Sequence, residues 1–470
     1  MSYLTLLRLT AMSTLCASLV ACGSLTPDYQ RPAAPVPAQF PDAGVVSDPT
    51  AMAASDIAWQ TFFTDARLRQ RIQLALDNNR DLRVALLNVQ QARSLVDVSK
   101  ANRWPTVNAG LGLTRQTVGG GATTSTYSAG LLVTSYEVDL FDRLGSLSNA
   151  AFAQYLASTQ AGRAVQISLI GSVANAWYAL QADQALEKLA QQTVKTREAS
   201  LGLIQLSFDH GASSQLDLSS AQSLLESARA NLAQSTRQRM LDENALNLLS
   251  GQTAPMQESG SMADQPAAGM AELPVGLSSD VLLRRPDVLQ AEQQLIAANA
   301  NIGAARAAFF PSILLTASAG SVSSELADLF KDGTFGWSLA PQLLLPIFDA
   351  GRNQANLAAA KVVRDVAIAN YEKSIQTAFR EVSDALAGRA TLGQQLAAQT
   401  AQTRAESERT RLTELRYRNG ASSYLEVLDA QRSLFASQQA ELQLGAQVQQ
   451  NLATLYRVLG GGWSAEDKKI

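Results

Sequence analysis

The chain has 470 residues, of which 46% are hydrophobic and 17% are charged, and its formal net charge is −3. It contains no basic block, so nucleic acid is not an expected partner. One histidine and two cysteines are present, and Cys16 and Cys22 both lie near the amino terminus. This composition argues against a Cys/His metal site or a Ser-His-Asp triad, so we expect no metal, no cofactor and no enzymatic activity.

Residues 1–21 are predicted to be a lipoprotein signal peptide. Arg8 precedes an apolar run that ends at Val20 and is too short to span a bilayer. The segment Leu19–Gly23 resembles a lipobox, in which cleavage precedes the cysteine and the cysteine thiol is acylated. An ordinary secretory signal is the alternative. We expect Cys22 to carry the lipid, and the proline-rich residues 22–55 to form an extended strap without a core of its own.

The rest of the chain contains an internal duplication. Landmarks of the first half recur in the same order, at a nearly constant separation, in the second half. The matched pairs are Asp81-Leu82 and Asp287-Val288, Trp104-Pro105 and Phe310-Pro311, Phe141-Asp142 and Phe348-Asp349, Gly211–Asp217 and Gly420–Glu426, and Ala221-Gln222 and Ala430-Gln431. We therefore predict two copies of one unit, residues 56–260 and 261–463, followed by a tail at 464–470.

Each copy contains two predicted strands, at about residues 105–118 and 127–140 and at about residues 312–322 and 334–346. In the first strand, Val107, Ala109, Leu111 and Leu113 alternate with Asn108, Gly110, Gly112 and Thr114. Three glycines and a Thr/Ser cluster, residues 119–126, are predicted to form the loop that follows. A period of two with one apolar face fits the wall of a membrane β-barrel, and a soluble hairpin with one buried face is the alternative.

Long helices are predicted after each pair of strands. Residues from about 148 to 208 and from about 352 to 417 contain no proline and keep apolar side chains at helical spacing. In the second helix this spacing is nearer 3.5 than 3.6 residues, which favours coiling around neighbouring helices. We expect tight turns at Gly211 and Gly420, because glycine suits a left-handed helix end, and returning helices that end at Gly251 and Gly460.

Four strands are too few to close a barrel, and lipid does not tolerate the open edges of a sheet. If these strands lie in a membrane, several chains must share one barrel. The long helices would then continue the tube beyond the membrane. These arguments predict a hollow oligomer and leave the number of chains open.

Motifs spread over nearly the whole chain resemble those of the outer membrane efflux factor family of the TolC superfamily, in its lipoprotein branch. They are Pro27–Pro32 after the lipobox, Trp59 with Phe62-Phe63, Leu273–Asp280, Arg284–Asp287, Phe310-Pro311 and Leu459–Trp463. Each motif alone is a weak signal, whereas their joint order is specific. Arg284–Asp287 itself is expected to be structural, since Pro286 fits a helix start.

The resemblance implies an α+β membrane protein, a homotrimer with a shared twelve-stranded barrel in the outer membrane and a helical barrel in the periplasm. It also implies a duct that joins a periplasmic adaptor and an inner-membrane pump of the resistance-nodulation-division (RND) type. The duct would pass drugs or other small molecules outward and perform no chemistry. A type I secretion channel of the same superfamily, and a structural periplasmic coiled-coil lipoprotein, are the alternatives.

The resemblance places the periplasmic gate at the helix turns. The matching residues are Asp217 in the first copy and Tyr417, Glu426 and Asp429 in the second, and the resemblance implies that Tyr417 forms a hydrogen bond within the closed tip. In a trimer Glu426 and Asp429 would form acidic rings that favour cations. The alternative, which is compatible with a gate, is that these acids are residues near helix starts that the helix dipole favours. Ser422 stands where a basic residue often occurs in the family, and His210 is expected to be a solvated turn residue.

The turns themselves are the expected adaptor-contacting tips. They comprise Gly211, Ala212, Ser213 and Ser214 in the first copy and Gly420, Ala421, Ser422 and Ser423 in the second. Small side chains permit close approach of another helix. Plain turn chemistry explains the same residues equally well, because serines at these positions can cap the returning helices.

Overall fold

The computed structural model of the chain describes residues 23–40, 56–118, 120, 122–252, 270 and 278–462. The predicted signal peptide, Cys22, the part of the strap at 41–55, Trp463 and the tail at 464–470 lie outside the described residues. Most of the Leu273–Asp280 motif also lies outside them.

The described elements follow the same order in both halves of the chain. The first half has α1 Trp59–Phe62, α2 Ala66–Asn78, α3 Arg80–Ala101, β1 Val107–Val118, β2 Ala122–Val138, α4 Arg143–Asp209 and α5 Gln215–Ser250. The second half has a 3-10 turn at Ser279–Arg284, then α6 Pro286–Ala307, β3 Ser312–Ser323, a 3-10 turn at Leu326–Asp328, β4 Phe335–Leu344, α7 Arg352–Arg418 and α8 Tyr424–Val458. None of the helices in the described part of the chain is both long enough and apolar enough to span a membrane.

The described residues divide into two compact units that cut across the two sequence copies. One unit takes its residues from Met1–Ala34, Leu87–Thr159 and Leu289–Lys373, and includes all four strands. The other takes its residues from Pro35–Leu86, Gln160–Val288 and Ser374–Ile470, and includes both turns between long helices. Each unit therefore contains matching segments from both copies.

The four strands form one antiparallel sheet in the order β1-β2-β3-β4. The register joins Leu111 to Ala129, Leu131 to Ala319, and Ala319 to Trp337, so these side chains share one face of the sheet. This face is apolar, and Ser128, Ser318 and Ser338 lie on the opposite face. The alternation predicted from the sequence therefore gives the sheet one apolar and one small, polar face. We name the apolar side the outer face.

A row of four glycines crosses the whole sheet. Gly110 pairs with Gly130, Gly130 with Gly320, and Gly320 with Gly336. A Cβ atom at Gly130 would lie 2.4 Å from the Ala319 carbonyl oxygen, whereas a Cβ at Gly336 would meet nothing within 4 Å. Glycine is therefore required where the backbones of β2 and β3 approach most closely, on the face opposite the outer face.

The Thr/Ser cluster predicted as a loop is part of β2. Thr123, Thr124, Ser125 and Thr126 pair with β1, for example Thr126 with Thr114. The prediction of a loop over residues 119–126 was wrong because threonine fits a strand well, and Gly120, with φ of 108°, already provides a residue for the reversal. The second loop, after Ser323, was predicted correctly and contains the 3-10 turn at Leu326–Asp328.

Residues 25–31 of the strap lie along one side of α6. Arg31 donates to both carboxylate oxygens of the buried Glu292, at 2.6 and 2.8 Å. Asn299 donates to the Pro27 carbonyl oxygen at 2.6 Å, and Arg306 to that of Leu25 at 3.1 Å. The three α6 residues are spaced by seven, which places them on one helix face. The strap therefore has a specific binding site.

The second unit has an aromatic core beside the end of α8. Tyr456 stacks on Phe62 with ring centroids 4.0 Å apart, and its hydroxyl donates to the Ile57 carbonyl oxygen at 2.6 Å. Nearby in the same unit, buried Arg285 bonds Asp287 at 2.6 Å and Glu381 at 2.8 Å. The interpretation of the Arg-Arg-Pro-Asp motif as structural agrees with this network.

Candidate functional site: the turns between the long helices

The first turn is shaped by Gly211 and a capping box. Gly211 has φ of 70°, and the Ala212 N–H donates to the Ser207 carbonyl oxygen at 2.8 Å, which closes α4. Ser214 accepts a hydrogen bond from the Asp217 N–H at 3.1 Å, and its hydroxyl donates to the Asp217 carboxylate at 2.7 Å. This hydroxyl hydrogen bond lowers the pKa of Asp217 below its ordinary value, so Asp217 is a charged helix cap.

The second turn repeats this arrangement with charged neighbours. Gly420 has φ of 70°, and Ser423 and Glu426 form the capping box of α8. The Glu426 carboxylate also lies 3.9 Å from the Arg416 guanidinium, and Arg416 donates to the Ala421 carbonyl oxygen at 3.1 Å. Glu426 thus stabilises the start of its own helix, as the alternative interpretation of these acids required.

A shared apolar cluster lies next to the two turns, and we name it the tip core. Its buried members are Ile204, Leu218, Ala221, Tyr424, Val427 and Leu428. Tyr417 packs on this cluster, with its ring centroid 5.4 Å from that of Tyr424, and burial raises its pKa. Within the described residues its hydroxyl makes no hydrogen bond, whereas the resemblance implied one. Tyr417 therefore contributes ring packing in this conformation.

Asp429 is paired with two arginines of its own chain. Its carboxylate lies 2.7 Å from Arg409 of α7 and 3.3 Å from Arg432 of α8, and Arg409 also lies 3.4 Å from Glu406. These four side chains form an alternating series of charges, which we name the ion chain. The expected acidic ring took no account of these cations, which compensate the charge of Asp429.

A second polar contact at the turns was missed by the sequence analysis. Arg197 of α4 is only 6% exposed, and its guanidinium donates to the side-chain oxygen of Gln431 on α8. The Gln431 amide in turn donates to Glu414 of α7 at 2.7 Å. Burial lowers the pKa of Arg197. The repeated Ala-Gln pair was the only available signal, and it did not show that Gln431 connects three helices.

The tip serines, alanines and glycines are mostly exposed, as is His210. Two leucines missed by the sequence analysis stand beside them. Leu216 is 74% exposed and Leu425 71% exposed, at matching positions in the first turns of α5 and α8. No group of metal-binding side chains occurs among the described residues. The turns therefore expose apolar and small side chains beside charges that are internally paired.

The family model for outer membrane efflux proteins matches the chain twice, over residues 71–252 and 277–461. The chain belongs to the outer membrane efflux protein family. The two matches lie within the two predicted copies, and the recognition of the family from its motifs is confirmed.

Curated and solved members of this family resemble the chain over nearly its full length. The probable efflux pump outer membrane protein TtgC of Pseudomonas putida is 48% identical, covering 94% of this chain and 93% of TtgC. The probable outer membrane lipoprotein SilC of Salmonella typhimurium is 43% identical, covering 97% and 99%. The open state of the MtrE outer membrane channel of Neisseria gonorrhoeae is 39% identical, with a TM-score of 0.84, covering 94% and 99%. The predicted fold class and outer-membrane location are confirmed.

Proposed function

We propose that three copies of the chain form the exit duct of a tripartite efflux system in the outer membrane. The observation that carries this proposal is the sheet, which has an apolar outer face, a small and polar opposite face, and edge strands β1 and β4 at its two ends. Three such sheets joined edge to edge make a twelve-stranded barrel without open edges. The long helix pairs form the periplasmic part of the duct in this proposal.

The duct receives small molecules from a periplasmic adaptor and an inner-membrane RND pump, and the pump supplies the energy. TtgC is named as an efflux pump outer membrane protein, and this supports small-molecule efflux over the type I secretion alternative. The long match to membrane channels counts against a merely structural coiled-coil lipoprotein. In this role the protein carries out no catalysis and needs no cofactor.

Asp217, Tyr417, Glu426 and Asp429 form the periplasmic gate in this proposal. The tip core packs the second helix turn against the first, whereas the ion chain joins the two helices of the second turn. Opening the gate requires these contacts to rearrange. The outer surfaces of the turns, Gly211–Ser214 and Gly420–Ser423, dock the adaptor. Leu216 and Leu425 add apolar area at the same place, which suits contact with a helical partner.

Cys22 is the acylated residue in this proposal. SilC, which matches 97% of this chain, is named as a probable outer membrane lipoprotein. An acyl chain alone gives weak membrane attachment, so the barrel supplies the lasting insertion and the lipid supplies a second tether.

Planar-bilayer conductance of the purified, detergent-extracted protein tests the proposal. We expect a heat-sensitive trimer on gels and small, cation-selective currents. The double variant Glu426→Ala/Asp429→Ala should carry larger currents with weaker block by divalent cations. A monomer that remains soluble without detergent, or wild type and variant that both carry no current, would refute the duct.

A further inference from the structure

An apolar groove lies on the outer face of the sheet beneath the loop that joins β3 to β4. Its volume is about 540 Å³. Its lining consists of Ala109, Gly110, Leu111, Ala129, Gly130, Leu131, Ala319 and Phe330. Seven of these residues belong to strands, and Phe330 alone comes from the loop. The side chains of Ala109, Ala129 and Ala319 point to the outer face, so the groove opens on that side.

The loop turns back along the wall of the sheet. Its strand β3 ends at Ser323, whereas the groove lies at the level of the Gly130–Gly320 pair. Three residues of strand correspond to about 10 Å. Phe330 therefore reaches down from the end of the sheet and does not extend away from it.

Contacts within the loop hold its shape. The Thr334 hydroxyl bonds the Leu329 and Lys331 carbonyl oxygens at 3.0 and 2.8 Å, and Lys331 pairs with Asp328 at 2.5 Å. Leu329 is buried. In contrast, Phe330 is 79% exposed and Leu326 is 65% exposed. A loop that is fixed in place and presents two large apolar side chains needs an apolar partner.

The position of the groove on the outer face indicates what this apolar partner is. If the sheet is a membrane barrel, its outer face contacts lipid, and the β3–β4 end is opposite the ends from which α6 and α7 continue. That end is the external one. The groove lining carries no charged or hydrogen-bonding side chain, so it suits a hydrocarbon chain. Alanine and glycine in the floor leave room between Leu111, Leu131 and Phe330.

We propose that this groove binds a fatty acyl chain of a lipid in the outer leaflet, held between the sheet and Phe330. The inference rests on the proposed membrane barrel and adds a specific lipid site to its wall. The site would position the β3–β4 loop at the channel mouth.

Lipid retention by the intact trimer tests the site. Native mass spectrometry of trimers extracted with mild detergent should show bound lipid in wild type. Phe330→Ala and the groove-filling Ala129→Phe should each lose about one lipid per chain, as a single acyl-chain groove requires. Leu343→Ala, which shortens an outer-face side chain outside the groove, should retain the wild-type number. Equal retention in all four proteins would overturn the site.

Quenching by brominated acyl chains separates the site from the barrel itself. Trimers carrying Phe330→Trp, Leu343→Trp or Asp332→Trp are placed in vesicles of dibrominated phosphatidylcholine, and their added fluorescence is compared with wild type. We expect quenching of the first two and not of the third. Quenching at 343 without quenching at 330 would refute the groove and leave the barrel intact. Absence of quenching at 343 would refute the barrel.

Discussion

The Asp429 carboxylate lies 2.7 Å from the Arg409 guanidinium, and the two residues belong to the two helices that meet at the second turn. The pair therefore joins the descending and returning helices within one chain. Arg432 and Glu406 extend it into the ion chain. Movement of either helix at the gate would have to stretch or exchange these contacts.

Arg409→Gln should make the closed gate less stable. An exposed ion pair contributes about 0.2–1 kcal/mol, so the open fraction should rise by up to about fivefold at low salt. The effect should shrink as salt screens the pair. Single-channel conductance at low and high ionic strength measures both changes. Arg411→Gln is the matched control, since it breaks an exposed pair with Glu408 on the same helix. Identical traces for both variants would count against the ion chain.

Gln431→Ala should destabilise the turns more than the replacement of any other single Asn or Gln side chain there. It leaves the buried Arg197 guanidinium without its Gln431 acceptor, and a hydrogen bond to a charged group contributes about 1.5–3 kcal/mol. Thermal unfolding of the detergent-solubilised trimer measures the loss. Gln222→Ala, at the matching exposed position of the first copy, should stay within about 0.5 kcal/mol of wild type. Equal losses would show that Gln431 has no special role.

Asp183 should make stability depend on pH near neutrality. Burial, and then the hydrogen bond and charge of Asp242, raise the pKa of Asp183 to about 7. The folded protein thus keeps a proton that the unfolded chain releases near its ordinary pKa of 3.8. Stability therefore falls as pH rises from about 4 to about 7 and then levels off.

Asp183→Asn removes this dependence. Compared with wild type, the variant should gain stability between pH 5 and pH 8, measured as melting temperature across that range. Asp209→Asn, an exposed change on the same helix, should run parallel to wild type. If the melting temperature of Asp183→Asn also runs parallel to that of wild type, the folded protein does not keep a proton on Asp183.

Gly130→Ala should impair barrel formation because its Cβ would lie 2.4 Å from the Ala319 backbone oxygen. Overpacking of this kind costs about 1–3 kcal/mol, and a backbone atom cannot rotate away. The yield of heat-sensitive trimer on gels measures assembly. Gly336→Ala belongs to the same glycine row but has open space within its own chain, so it should leave a higher yield of trimer than Gly130→Ala. A normal yield from Gly130→Ala would mean that the two strands can separate without loss.

Arg31→Ala should loosen the strap and destabilise the unit that contains the sheet. The Glu292 side chain is only 6% exposed, and losing its main donors costs on the order of 1–3 kcal/mol. The double variant Arg31→Ala/Glu292→Gln should recover part of this loss, because no buried charge is left unpaired. Denaturant titration of both proteins provides the comparison. No recovery in the double variant would indicate that packing of the strap, and not the ion pair, is responsible.

Periodicity predicted most of the fold. The alternation of Val107 to Leu113 located the sheet and its two faces, and the two turn glycines located the ends of the helix pairs. It failed at Thr123–Thr126 because strand propensity and loop composition overlap for threonine. Contacts between side chains on different helices could not be predicted from the sequence either. Glu426 and Asp429 were recognised as acids at the turn, but Arg409 and Arg416 lie on α7, and only the packing of α7 against α8 brings these arginines to the acids.

The short connection between the strap and its site limits where a lipid tether can be. Leu25 is the third residue after Cys22, and such a segment spans at most about 10 Å. Leu25 accepts its hydrogen bond from Arg306, close to the end of α6 and only a few residues before β3. An acyl group on Cys22 would therefore enter the leaflet beside the foot of the sheet. The acyl group would thereby limit how deeply the barrel inserts into the bilayer.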